Sequence, residues 1–318
     1  MAGITPAGRR GTQTMGRPER TRFQLRKIGF SEANAIFIVD CLGEGDLQTG
    51  RSRLQGMHDL LLEMDPDKYD YFRDFARHFE ASNAQQFDES LGEIVRLCRI
   101  GIRPILFIDG HGHPEKGLRL PSGDHVSWLD LLCYCRKIIQ TSAGELTVIV
   151  AACHSMKAIK HLGEEDRLPF AFYYGYPSTV SAGAIADDTK VIYQSLLRDG
   201  GETAMKADLR LQIFSEYEHV ETHLATALLM ASEPSILAGL MPGLSRSNVS
   251  RMFEQTALSQ GLRLAGKRKA LNSILNSGHL AVELVSKRMH DTRRLQMIIE
   301  DIHRFIAGGA DIQSTSTD

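Results

Sequence analysis

The sequence predicts an α/β fold: a mostly parallel sheet flanked by helices, followed by a C-terminal helical lobe. Three observations predict it. Short continuous apolar runs, "AIFIV", "ILFI" and "TVIV", each stop at a polar or glycine-bearing turn, as strands covered on both faces do. Stretches of helical period separate them, the alternation that gives parallel βαβ units. Beyond about Gly201 the apolar pattern is helical throughout, with no convincing strand.

Taken in order, "NAIFIVDCLGEGD" is a buried strand running into an acidic glycine loop. "PDKYDYFRDFARHFEASN" and "DESLGEIVRLCRIGIRP" have helical spacing, and the second stops at Gly101 and Pro104 as helices do. "ILFIDGHG" is the next strand, and "GLRLPSGDHV" alternates around a turn like a hairpin. "SWLDLLCYCRKII" opens with Ser127 as N-cap and Asp130 at the third helical position. "ELTVIVAACHS" is a third buried strand with a helix through "SMKAIKHLG" behind it. "FAFYYGY" and "DTKVIYQSLLRDG" complete the pattern as a strand and a helix. The expected organisation is a basic, disordered tail over 1–30, a core over 31–200, the helical lobe over 201–310 and a polar tail over 311–318.

A chain of 318 residues can hold one large core, or a core with a smaller lobe. Its 42% hydrophobic and 24% charged content is that of a folded globular protein. Residues 1–27 carry seven basic side chains against Glu19 alone, within a net charge of −2; without apolar periodicity this head reads as a solvated tail. No apolar run approaches the ~20 residues of a membrane span, and no signal-peptide core opens the chain. The five cysteines are odd in number and lack disulfide spacing, which predicts a reducing, cytoplasmic setting. "LSRSNVSRMFEQTALSQGLRLAGKRKAL" has the look of a helix-turn-helix, but its only basic cluster is Lys267–Lys269, so a packing or interaction lobe is expected and nucleic-acid binding is not.

Ligands of an open α/β sheet bind beyond the carboxyl ends of its strands. Three such ends carry chemistry: Asp40 and Glu44 after the first, His111 after the second, Cys153 after the third. If the last two strands are parallel neighbours, imidazole and thiol emerge at one edge. A free thiol is only a few per cent thiolate at neutral pH, so a nucleophilic Cys153 needs a base, and His111 offers one. The helix expected after Cys153 would aim its positive end at the sulfur. The N–H groups of Gly112 and Cys153 together suit an oxyanion hole. His113 is the alternative base or a supporting group, and Asp109, two residues before His111 on the same side of a strand, is equally a candidate to orient it or a buried acid capping the strand end.

The ordered pair "ILFIDGHG" and "TVIVAACHS", each an apolar run ending in His-Gly or Ala-Cys, resembles the caspase-like clan of cysteine peptidases, which includes caspases, metacaspases, legumains, separases and CHAT-domain proteins. "GLRLPSGDHVSWLDLL" is similar to the strand-turn-helix after the His-Gly of CHAT-type members, and "ACHS" to the Cys-His-Ser of metacaspases. The resemblance covers residues 33 to 200. It implies a caspase-like sheet and peptide-bond hydrolysis with no metal or cofactor, His111 as base, Cys153 as nucleophile and Gly112 N–H as oxyanion donor. It further implies a charged pocket that selects the residue before the scissile bond. Asp40, Glu44, Asp46, Asp187 and Asp188 would make it acidic and select Arg or Lys; Arg51 and Arg53 would make the opposite, Asp-selecting pocket. Bacterial members are often defence or cell-death effectors that cleave one protein, sometimes a pore-former. A regulatory protein would then dock on the helical lobe or the basic head.

Two rival readings stay open on the residues alone. A metal hydrolase would use the His-x-His of His111 and His113 with Asp109, and with His125 or His154, but this leaves Cys153 unexplained. A peptidase-like scaffold would keep the fold and bind a partner without cleaving it. Cys133 and Cys135, two apart on a helix, point to different faces and are expected as surface and core positions.

Overall fold

The computed structural model describes residues 33–64, 66, 75–163, 167–199, 201–216, 219–220, 222–226, 247–248, 251, 255 and 287–314. In chain order the elements are β1 (Ala35–Asp40), α1 (Thr49–Met64), β2 (Ala76–Glu80), α2 (Ala84–Arg99), β3 (Pro104–Asp109), β4 (His111–His113), β5 (Gly117–Arg119) and β6 (His125–Val126). They continue with α3 (Trp128–Thr141), β7 (Thr147–Ala151), a 3₁₀ turn over Ser155–His161, β8 (Phe172–Gly175), α4 (Ala182–Asp199), α5 (Glu202–Lys206), β9 (Gln212–Ser215) and α6 (Thr292–Ser314).

A six-stranded sheet runs in the order β2-β1-β3-β7-β8-β9. Its first five strands are parallel and β9 joins β8 antiparallel. Every residue of β1, β3 and β7 is buried, because helices cover both faces. Strand alternation sorts the core into two halves. Phe37, Val39, Leu106, Ile108, Val148 and Val150 face one way, toward Leu91 and Ile94 of α2 and Leu131 and Ile138 of α3. Ile36, Ile38, Ile105, Phe107 and Ile149 face the other way, toward Met57 and Leu60 of α1 and Ile185 and Ile192 of α4. A small sheet, β4-β5-β6, stands on the carboxyl end of β3.

Local signals read from the sequence operate as expected at α3, where Ser127 Oγ accepts the Asp130 N–H at 3.0 Å and donates to its carboxylate at 2.6 Å. α2 is capped in the same manner by Asn83, whose Oδ1 accepts the Gln86 N–H at 3.0 Å, and the chain leaves it through Gly101 at φ 101. Cys135 is buried and Cys133 exposed.

Other expectations are corrected. Residues 76–80, read as part of a helix, form the edge strand β2, paired with β1 from Ile36↔Ala76 to Asp40↔Glu80. Gln212–Ser215, read as helix, is β9, so the sheet extends past residue 200. The segment after Cys153 is a 3₁₀ turn rather than an α-helix. Residues 311–314, read as polar tail, are the last turn of α6. The basic tail, residues 315–318 and most of the expected helical lobe lie outside the described residues. Among the described residues no helix is long and apolar enough to cross a membrane.

α6 is tied to the amino-terminal edge of the sheet by a buried arginine. Arg294 donates to the Gly144 carbonyl at 2.8 Å and lies 3.2 Å from Asp291, 3.5 Å from Glu216 and 3.6 Å from Glu145. One cation among three acids does not keep them all charged. Burial, helped by Glu145 and Asp291, pushes the Glu216 carboxyl up to about 8 against the pull of Arg294. The native state therefore holds a proton that the unfolded chain releases near the ordinary value of 4.5, so stability falls as pH rises from there through about 8. Glu216→Gln removes the titration. The Tm of the variant relative to the wild type is expected to rise by several degrees between pH 5 and pH 8.5, read by calorimetry; a pH-independent difference would show that Glu216 does not carry that proton.

Candidate active site

The carboxyl ends of β1, β3 and β7 lie side by side, since β3 pairs with both neighbours: Asp40↔Asp109 on one side and Asp109↔Ala151 on the other. What each end does with its polar side chain differs.

The two aspartates are structural in their surroundings. Asp40 is buried, accepts the Leu42 N–H at 3.0 Å and sits 3.0 Å from His78 Nε2. Asp109 is fully buried and held by a fork from Arg53, whose second nitrogen lies 3.0 Å from Oδ1, while Thr49 Oγ donates to the same oxygen at 2.7 Å. Arg53 also bonds Thr189 at 3.0 Å and lies 4.7 Å over the Phe107 ring. Asp109 is thus committed to α1, not to His111.

Beyond Asp109 the chain passes through Gly110 into β4. Gly112 there rests directly on the backbone of Cys153: a Cβ on Gly112 would stand 1.7 Å from the Cys153 carbonyl oxygen. Only glycine permits this approach, and it lays the backbone of β4 against the turn that carries Cys153. β4 is held in place by β5, with His111↔Arg119 and Gly112↔Leu118 in register, and by Trp128, whose indole N–H donates to the His113 carbonyl at 3.2 Å.

Cys153 follows β7 and is half-buried. The next residue, His154, has φ 58, a left-handed conformation that a non-glycine residue adopts only where its surroundings impose it. Those surroundings are the loop after β8. The His154 N–H donates to Ser178 O at 3.1 Å and its ring lies 3.2 Å from Thr179 Oγ. Ser155, fully buried, donates to Val150 O at 3.0 Å and accepts the Tyr176 N–H at 2.8 Å. The Ser of "ACHS" is therefore a clamp that stitches the turn to β8. The same loop reaches the sulfur itself: the Val180 N–H points at Sγ from 3.3 Å, and Sγ lies 3.5 Å from Val180 O. This backbone donor, not the end of an α-helix, is the polar partner of Cys153.

His111 is exposed and its Nε2 lies 3.0 Å from Asp46 Oδ1. The Asp46 carboxyl is held below the ordinary carboxylate range, first by the Gly43 N–H and then by His111. Among the described residues no hydrogen bond joins His111 to Cys153; each is held by a different loop. His113 does not share the base's surroundings, because its Nδ1 accepts the Glu115 and Lys116 N–H groups at 3.1 Å.

The acids proposed for a specificity pocket are mostly compensated. Asp40 faces His78, Asp46 faces His111, and buried Asp188 takes Arg210 at 2.8 Å and Tyr176 at 3.3 Å. Glu44 and Asp187 are exposed. The arginines of the opposite reading are engaged as well, Arg51 by Glu80 and Arg53 by Asp109. Nor are Asp109, His111 and His113 brought together as ligands; among the described residues no group of three or more His, Cys, Asp or Glu is arranged to hold a metal ion. The remaining buried thiols are held protonated: burial pushes Cys98 up to about 11 and Cys135 up to about 12, and burial with Asp40 and Asp109 raises Cys41 well above its ordinary range. Such thiols are poor nucleophiles.

The sequence matches no protein-family model, and no curated protein is significantly similar to it.

Proposed function

We propose that the chain is a caspase-like cysteine endopeptidase, with Cys153 as nucleophile and His111 as base. The observation that carries this reading is the seating of Gly112 on the backbone of Cys153, which brings a His-Gly turn and a cysteine from two neighbouring strands to one point. In the reaction the Cys153 S–H proton passes to His111 and the sulfur attacks the scissile carbonyl carbon. The C–S bond forms as the carbonyl electrons move onto oxygen, where the Gly112 and Cys153 N–H groups are the candidate donors. Collapse breaks the C–N bond, and the leaving amine takes the proton from His111. Water, deprotonated by His111, then attacks the thioester; the C–S bond breaks and the thiol is restored.

In this reading the chain is a regulated effector of bacterial defence or cell death, acting on a protein substrate such as a pore-former, with a regulatory protein docking outside the peptidase core. A second reading, a peptidase-like scaffold that binds a partner without cleaving it, draws on the engagement of His111 by Asp46 and of Cys153 by Val180. The test is cleavage of a mixed fluorogenic peptide library by the full chain, beside Cys153→Ala and with a chelator. Cleavage that falls to background in Cys153→Ala and ignores the chelator is the expected result. Cleavage that survives Cys153→Ala sinks the thiol mechanism, and an inert wild type favours the scaffold.

A further inference from the structure

The peptidase reading leaves one contact of His111 without a task, the one with Asp46. We propose that Asp46 is the positioning residue of the base: its carboxylate holds the hydrogen of His111 on Nε2 and leaves Nδ1 as the nitrogen that takes and returns the proton. The use of that proton rests on the peptidase reading; the positioning itself does not.

An exposed pair of this kind is ordinarily worth little, since two mobile side chains must be held in one geometry. Here one partner is already held. The Gly43 N–H donates to Asp46 Oδ2 at 2.8 Å, and the Asp46 N–H returns a bond to Gly43 O at 3.1 Å. The Gln48 amide closes the loop on Gly43 O at 2.8 Å and Asp46 O at 3.2 Å. Oδ2 is thereby spent on the loop's own backbone, and Oδ1 is left directed at His111 Nε2, 3.0 Å away. Arg119, opposite His111 across β4 and β5, adds positive charge that favours the ionised carboxylate. An ionised carboxylate can only accept, so the hydrogen in this contact belongs to the imidazole. A neutral imidazole with its hydrogen on Nε2 has its lone pair on Nδ1, and that nitrogen can take the Cys153 proton. When it does, the S–H bond breaks, an N–H bond forms on Nδ1, and Asp46 stands beside the new imidazolium charge. The proton then leaves Nδ1 for the amine nitrogen as the C–N bond breaks.

Asp46→Asn is the discriminating variant. Asparagine keeps an acceptor for the Gly43 N–H, so the loop is retained, but it offers His111 an N–H donor in place of an acceptor. The expected result, read by long-range proton–nitrogen correlation on the labelled full chain, is a neutral His111 with hydrogen on Nε2 in the wild type and on Nδ1 in Asp46→Asn. Asp46→Glu is expected to restore the wild-type form at least in part. Peptide cleavage is expected to lose about 10- to 100-fold in kcat, below the roughly 10⁴-fold of a buried triad carboxylate, with KM changed less than about twofold. A wild-type hydrogen on Nδ1, an unchanged His111 in Asp46→Asn, or a variant that cleaves faster than the wild type would overturn the proposal, the last by making Asp46 a restraint. If the wild type cleaves no peptide, the resonance result still decides the positioning, while the peptidase reading fails separately.

Discussion

Arg53→Met is expected to destabilise the fold by about 3–5 kcal/mol, the ordinary cost of breaking a buried ion pair from one side, with a Tm lower by about 10 °C. The two side chains are 2% and 0% exposed, so water cannot replace the lost partner. Methionine fills much the same volume over Phe107 but leaves the Asp109 carboxylate, among the described residues, with Thr49 as its side-chain donor. The control is the double variant Arg53→Met/Asp109→Leu. Removing both charges leaves no unpaired ion, and the double variant is expected to recover most of the loss. Thermal melts of the three proteins check this. If the double variant is no better than the single, the loss comes from packing around the guanidinium and not from the stranded charge.

Gly112→Ala is expected to abolish the candidate site while the same substitution at Gly92 does no harm. At Gly112 the new methyl carbon would fall 1.7 Å from Cys153 O and 2.8 Å from its carbonyl carbon. These are backbone atoms of a turn fixed by Ser155 and by left-handed His154, so they cannot rotate aside as a side-chain tip would. β4 must lift away, and a displacement of about 1 Å at reacting groups costs on the order of 10²-fold in rate. The overpacked strand is also expected to lose about 1–3 kcal/mol. Gly92 lies within α2 with nothing within 4 Å of the corresponding position, and alanine there is expected to add about 0.5–1 kcal/mol. Melts and kcat/KM for both variants make the comparison; a Gly112→Ala protein with wild-type values would mean that β4 is not pressed on Cys153 in solution.

The parts of this molecule legible in its sequence are those where burial is uniform. β1, β3 and β7 are covered on both faces, so their apolar runs are unbroken, and His111 and Cys153 could be located because each ends such a run. Elements that bury polar groups or lie at an edge were not legible in the same way. α1 turns Thr49, Gly50 and Arg53 inward together with Met57, Leu60 and Leu61, which breaks the apolar stripe that marks a helix. β2 is a five-residue edge strand holding Arg77, His78 and Glu80, and β9 is four residues long with helical pattern around it. The same difficulty hid the partners of the site residues. Asp109 was a reasonable candidate to orient His111 by strand alternation, but its counter-ion sits 56 residues earlier on a helix the pattern did not reveal. Asp46 was legible as an acid near the site and not as the neighbour of His111, because a loop folds back on the sheet edge through backbone hydrogen bonds that no side-chain pattern records. The clamp role of Ser155 has a weak signal, a small hydroxyl directly after a strand.

β7 joins two places that have been described separately. Its amino end follows Gly144 and Glu145, which Arg294 of α6 holds, and its carboxyl end leads to Cys153. The five residues of β7 are all buried and paired with β3, and Thr147 to Val150 are paired with β8 as well, a strut with no slack. Amide hydrogens along such a strand exchange with solvent only when the whole unit opens. Motion at the thiol on the timescale of turnover must therefore arise in the loop that grips it, residues 176–181, while the strand beneath keeps time with global unfolding.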